Sequence, residues 1–251
     1  MTVRGERAYT YLKRICELGP RPSGSDALEQ HRILVEKHFT DLGADVVRQP
    51  FQARHPISRK KVAFANIIAS WNSKRQPRVL VAAHYDTRPY PDRDPNPEKR
   101  RDPFIGANDG ASGVAVLMEL AHFLNRINGP YGIDLILFDG EELVYDEKGT
   151  YFLGSRHFAR EYRRNRQAIR YVGGILVDMV GDRDLQIYQE ENSLTFAPQI
   201  VSSIWSIAAQ LNIPEFIPQS KYEIRDDHLP LNTIANIPCL LYTSDAADDT
   251  P

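Results

Sequence analysis

At 251 residues, with 42% hydrophobic and 25% charged content, the chain can bury a sizeable core and has neither a disordered nor a fibrous composition. A formal net charge of −2 makes no case for nucleic acid as a partner, and no apolar run nears the ~20 residues of a membrane span. Cys16 and Cys239 are too few for a disulfide framework, leave room for a single bridge at most, and read as core residues beside Ile15 and among Ile237, Leu240 and Leu241. The first residues lack the apolar stretch of a signal peptide, so the chain as written reads as cytoplasmic; a start placed too far downstream would make it periplasmic or secreted.

Ala8, Tyr9, Leu12 and Cys16 predict a helix over residues 6–18, stopped by Gly19-Pro20. The turn from Pro22 to Asp26 supplies a cap for a second helix over 27–42. Residues 45–53 alternate as a half-exposed strand, residues 62–70 form another, and residues 78–84 form a central one ending in His84, with Asp86 just beyond. The loop 88–104 carries five prolines and three aspartates. A loop longer than about 12 residues inside a compact domain is usually functional, and its position predicts one wall of a site mouth.

Asp109 then sits among small residues ahead of a helix over 111–126, whose apolar face is Val114, Leu117, Met118, Ala121 and Leu124. Residues 133–138 form a buried strand that runs into Asp139-Gly140-Glu141-Glu142. Adjacent carboxylates repel, so one of them gains a proton unless a cation lies close; such a pair suits a metal ligand beside a general base. An acidic turn alone could equally be a solvated loop. His84, Asp86 and Asp109 decide for a site, because they too fall at the strand-end edge where open α/β sheets bind their ligands. Nitrogen and carboxylate donors without thiolates suit zinc.

Residues 144–149 read as a polar cover for that site, and a helix over 155–164 leads back to the sheet. The arginines between Arg156 and Arg170 read as a solvated face, with Phe158, Tyr162 and Ile169 inward. Residues 172–179 form a buried strand in which Asp178 is costly unless paired or metal-bound. A short strand over 185–189, a helix over 197–211 with Ile200, Ile204 and Ala208 inward, and a last strand over 234–241 complete the elements. His122 and His157 read as structural residues rather than ligands.

The segments HYDT (84–87), GANDGASG (106–113), FDGEE (138–142) and LVDMVGD (176–182) resemble the M28 family of zinc peptidases. Within it the chain looks most like the glutaminyl cyclases, from the first helix to Leu241. The features that favour this branch are the long charged loop after HYDTRP, the insertion before GSRH (154–157), the LVDMVG strand, and two aspartates, Asp226 and Asp227, before His228 where the peptidases more often show one. The resemblance implies a three-layer αβα sandwich around a mixed, mostly parallel sheet, in one catalytic domain over residues 1–241. It also implies a peptide substrate with a free N-terminal glutamine, cyclised to pyroglutamate with release of ammonia.

By the same resemblance Asp109 and Glu142 are ligands of a single zinc, with a third expected from a histidine after the last strand. Glu141 is the general base, and Asp178 and Asp226 hold the amine, the base or the leaving group. The alternative is a zinc aminopeptidase, in which His84 and Asp178 hold a second zinc, Asp109 bridges the two ions, and Glu141 activates water. A third is a peptide-binding relative without activity, which loss of Glu141 or Asp109 would have marked. Cyclases often place an aromatic residue soon after the glutamate pair, and Tyr145 is the candidate here. Residues 242–251, small and acidic without histidine, read as a foreign tail on a C-terminally truncated domain. Oligomeric state is not legible.

Overall fold

The computed structural model describes residues 2–145, 148–165 and 168–244. Residues 245–251, the bulk of the expected foreign tail, lie outside the described residues, as do residues 146 and 147 of the expected polar cover. In chain order the elements are α1 (Gly5–Cys16), α2 (Asp26–Asp41), β1 (Asp45–Arg54), β2 (Lys61–Trp71), β3 (Arg78–His84), α3 (Gly113–Leu124), β4 (Gly132–Phe138), β5 (Val144–Tyr145) and β6 (Lys148–Gly149). There follow α4 (Leu153–Arg164), β7 (Tyr171–Val177), β8 (Ile187–Gln189), α5 (Glu191–Phe196), α6 (Pro198–Gln210), β9 (Phe216–Ser220) and β10 (Cys239–Tyr242). No helix among the described residues is long and apolar enough to cross a membrane.

Local chemistry sets several boundaries. Ser25 Oγ accepts from Leu28 N at 3.1 Å, an N-cap of the kind worth about 1 kcal/mol, and starts α2. The face of α2 that follows, Leu28, His31, Arg32, Val35 and Phe39, is buried at helical spacing. Every residue of β4 is buried, as its unbroken apolar run requires of a strand covered on both faces.

Among the described residues six strands form the main sheet in the order β1-β2-β4-β3-β7-β10; β1, β2 and β4 pair antiparallel, and β4, β3, β7 and β10 run parallel. Helices α1, α2 and α3 cover one face, packing Ile15, Phe39, Leu117 and Leu124 on Ile67, Leu135 and Leu137. On the same side α6 sets Val201 and Trp205 against Leu240, and Ile175 and Tyr242 reach both clusters. The opposite face is covered by α4 and the turn at 231–235, where Phe158, Ala159, Leu231 and Ala235 meet Leu80, Ile136, Leu176 and Leu241. This is the expected three-layer αβα sandwich with a mixed, mostly parallel sheet.

The register positions the site. His84 pairs with Phe138, and Ala82 pairs with Leu176, so the residues following β3, β4 and β7 leave the sheet side by side at one edge.

Several expectations are corrected. The last strand begins at Cys239, not at 234, because residues 231–235 coil against α4 and Asn232 bonds both the N–H and the C=O of Cys239. The helix expected over 197–211 is α6, opened by Pro198, whereas α5 and β9 have no counterpart among the elements expected from sequence. Ile169, expected inward, is 38% exposed. Both cysteines are free thiols; Cys239 is buried and Cys16 half-buried.

Candidate active site

The acidic turn after β4 is built by its neighbours. Gly140, at φ +77°, lets the chain reverse where a Cβ would meet the Phe64 ring at 2.8 Å. Asp139 turns inward, fully buried, and accepts from Ser23 Oγ at 2.7 Å, Arg32 Nη2 at 2.7 Å and Ala65 N at 2.8 Å. Asp86, also fully buried, accepts from Glu141 N and Glu142 N, each at 3.1 Å. Two structural aspartates thus clasp the turn from behind and leave Glu141 and Glu142 facing a cavity.

A second clasp brings Asp109 to Asp178. The chain kinks at Asp109 and Gly110 before α3; Gly110 has φ +84°, and a Cβ there would lie 2.5 Å from Asp86 O. Asn108 Oδ1 accepts from Gly181 N at 2.7 Å, and Ser112 Oγ accepts from Val180 N at 3.0 Å, stitching this loop to the turn after β7. His84 Nε2 then lies 3.0 Å from Asp109 Oδ1 and 3.2 Å from Asp178 Oδ1. Its Nδ1 is buried without a hydrogen-bond partner, 3.7 Å from Asp86 Oδ1.

The cavity, of 330 Å³, is lined by Asp109, Glu141, Glu142, Asp178 and Asp226, with Arg88, Arg93 and Arg225 and with Tyr151, Phe152, Met179 and Ile224. Burial, then the neighbouring Glu142, pushes the Glu141 carboxyl well above its ordinary range. Burial and Asp109 push Glu142 up to about 8, and burial with Asp178 and Asp227 does the same to Asp226. His84 is the counterpart: burial disfavours its charge, but Asp178 and Asp109 outweigh that and hold its proton. These groups are short of positive charge, which a metal ion would supply.

The donor set fits zinc. His84, Asp109 and Asp178 offer one nitrogen and two carboxylate oxygens within 4.8 Å of one another, without thiolates. Glu142 shares the cavity but is engaged by Arg88, which donates from its backbone N at 3.1 Å and from Nη1 at 2.8 Å.

The expected metal-binding and catalytic residues converge: His84, Asp109 and Asp178 as a cluster, Glu141, Glu142 and Asp226 around it. The loop 88–104 forms a wall through Arg88 and Arg93, as expected. Tyr145 does not line the cavity; its hydroxyl lies 3.1 Å from His55 Nε2 and its ring packs on Tyr90, so β5 and β6 leave the aromatic wall to Tyr151 and Phe152. His122 bonds the Tyr11 hydroxyl at 2.7 Å and His157 stacks on Phe51, both outside the cavity lining.

Glu190, at the start of α5, has no place in the sequence reading. It accepts from Ile224 N at 3.0 Å, Asn192 N at 2.9 Å, Ser193 N at 2.6 Å and Ser193 Oγ at 2.7 Å, and lies 3.4 Å from the fully buried His228. Burial alone would raise its pKa, but His228 and these donors hold it down at about 2. It pins the segment that carries Asp226. Glutamate is not among the residues that favour an N-cap, so the sequence carries no local signal for it.

Fold and site together define an α/β enzyme whose centre is a histidine and carboxylate cluster at the C-terminal edge of parallel strands. The chain matches Peptidase family M28 over residues 66–250 and belongs to that family. Among curated proteins it is similar to the glutaminyl-peptide cyclotransferase of Drosophila melanogaster, 28% identical over 215 residues that cover 82% of this chain and 57% of the fly protein. The chain spans about half the length of the curated relatives it matches. Among solved structures, the glutaminyl cyclase of Fimbriiglobus ruber superposes with a TM-score of 0.94 at 35% identity, over 97% of this chain and 85% of that one. A Zn-dependent exopeptidase from Parabacteroides distasonis superposes at 0.89 with 32% identity, over 97% and 85%.

Proposed function

We propose that residues 1–241 form the single catalytic domain of a zinc-dependent glutaminyl-peptide cyclotransferase, which converts an N-terminal glutamine to pyroglutamate and releases ammonia. The observation that carries this reading is the composition of the cavity. Its 330 Å³ suits one side chain, and its five carboxylates suit an α-amino group. The similarity to a solved glutaminyl cyclase supports it.

In the reaction the α-amine nitrogen attacks the side-chain carbonyl carbon of the same residue, the new N–C bond closes the ring, and the C–NH₂ bond breaks. Both reacting groups sit on one residue, so holding its folded conformer is a large part of the task. Glu141 takes a proton from the amine and returns it to the departing nitrogen, a role that suits a buried carboxylate with a raised pKa. Asp178 and Asp226 hydrogen-bond the amine, the base or the leaving group. Asp109 and Glu142 would hold the zinc, which supplies polarisation of the amide carbonyl.

The second reading, a zinc aminopeptidase, is favoured by the His84, Asp109 and Asp178 cluster. Those residues would hold a second zinc with Asp109 between the ions, and Glu141 would activate water. Incubation with a glutaminyl dipeptide, recording ammonia and free amino acid together, separates the two. Ammonia without amino acid is the expected result, and amino acid release would replace the cyclase by the peptidase. Metal content after exhaustive dialysis is expected at one zinc per chain; two, both required for activity, would point the same way as amino acid release.

A further inference from the structure

The cavity is lined by acids, Asp109 after β3, Glu141 and Glu142 after β4, Asp178 after β7 and Asp226 ahead of β10, and by three arginines, Arg88 and Arg93 from the loop after β3 and Arg225 beside Asp226. Arg88 is fully engaged, donating to Asp92 at 2.7 Å, Glu142 at 2.8 Å and Tyr151 Oη at 2.8 Å. Arg93 and Arg225 are exposed. Arg93 makes one long contact, to Tyr151 Oη at 3.4 Å, and Arg225 has no hydrogen bond or ion pair among the described residues. A guanidinium that nothing in the fold uses, at the mouth of a cavity walled by acids, is placed for a ligand.

We infer that Arg93 and Arg225 select peptides that carry a carboxylate one residue beyond the terminal glutamine, on the side chain of the second residue. The inference rests on the reading of the cavity as a site for a glutaminyl amino terminus. With the amine and glutamine side chain among the acids, an extended chain advances roughly 3.3–3.6 Å per residue, so the second residue is the first to stand at the mouth. There an aspartate or glutamate meets the exposed guanidinium groups of Arg93 and Arg225, while a lysine or arginine meets like charge.

The test measures binding of amidated Gln-Glu-Ala and Gln-Lys-Ala to the 251-residue chain by calorimetry, with ammonia and amino acid assayed in parallel tubes. The glutamate peptide should bind about five- to tenfold tighter at low ionic strength, as expected of two solvent-facing ion pairs, and the ratio should shrink in ~0.5 M salt. R93A/R225A should erase the difference, and R225E should turn the preference toward the lysine peptide. Gln-Ala with a free C-terminal carboxylate, set against amidated Gln-Ala, separates the second source of the same charge; tighter binding of the free acid with no preference between the tripeptides would overturn the side-chain assignment. Equal affinities for the two tripeptides, a preference that survives in R93A/R225A, or binding of none of the peptides would each overturn the proposal. Free glutamine instead of ammonia would overturn the cyclase reading, while the order of affinities would still decide the charge preference.

Discussion

The two ends of β4 carry buried acids with opposite fates. At one end Asp134, 1% exposed, is held by Arg78 at 2.5 and 2.8 Å, Ser70 at 2.5 Å and the Tyr171 hydroxyl at 2.5 Å. At the other end Glu141 and Glu142, 8% and 4% exposed, crowd against Asp226 and Asp109 respectively; Arg88 pairs with Glu142, and for Glu141 the opposing charge is that of His84. Burying a carboxylate costs several kcal/mol wherever it happens. Where the fold brings its own cation and donors, the acid is structural; where it stops short, the acid awaits a metal or a substrate. Asp139 belongs to the first kind although it sits one residue from Gly140 and the glutamate pair, since Arg32, Ser23 and Ala65 satisfy it.

The sharpest break in this contrast is Arg78→Met. It strands Asp134 without its cation and should lower stability by about 3–5 kcal/mol, read from urea unfolding, while turnover per folded molecule stays near wild type. A loss below about 1 kcal/mol would mean that Ser70 and Tyr171 alone satisfy Asp134. At the other end, Glu141→Gln should reverse the pattern: fold and metal content kept, turnover down by at least about two orders of magnitude. Near-normal turnover in a metal-loaded variant would remove Glu141 from the chemistry.

Metal removal probes the same end through pH. Glu142 and Asp226 bind protons more tightly in the folded protein than in the unfolded chain, so between about pH 5 and 8 the folded state carries the extra protons. Stability of the metal-free protein should therefore fall as pH rises through that window, by on the order of 1 kcal/mol per pH unit for each such group. Added zinc should remove the fall, and midpoints in urea at pH 6 and 8, with chelator and with zinc, report it. A flat metal-free profile would show that the crowded acids share no retained protons.

The smallest effect is expected at Glu190, which acts on the site through backbone. Glu190→Gln keeps an acceptor for Ile224 N but loses the charge facing His228, and should lower kcat about fivefold with KM little changed. A rise in KM alone would mean that the segment carrying Asp226 only binds substrate.

Much of this protein is local and could be read residue by residue. The strands β3 and β4 announce themselves because both faces are buried, α2 because Ser25 caps an apolar stripe, and the site because His84, Asp109, the glutamate pair and Asp178 each interrupt an apolar or small-residue run at an element end. What stayed hidden depends on partners far away in the chain. The DGEE stretch does not say that its aspartate turns inward to Ser23 and Arg32, 116 and 107 residues distant, while its glutamates turn outward. Arg88 gives no local sign that it holds Glu142, nor Glu190 that it secures the approach to Asp226. Periodicity and chain punctuation are short-range and write themselves into sequence; the pairing of one buried charge with another is settled only when the sheet brings both to the same edge.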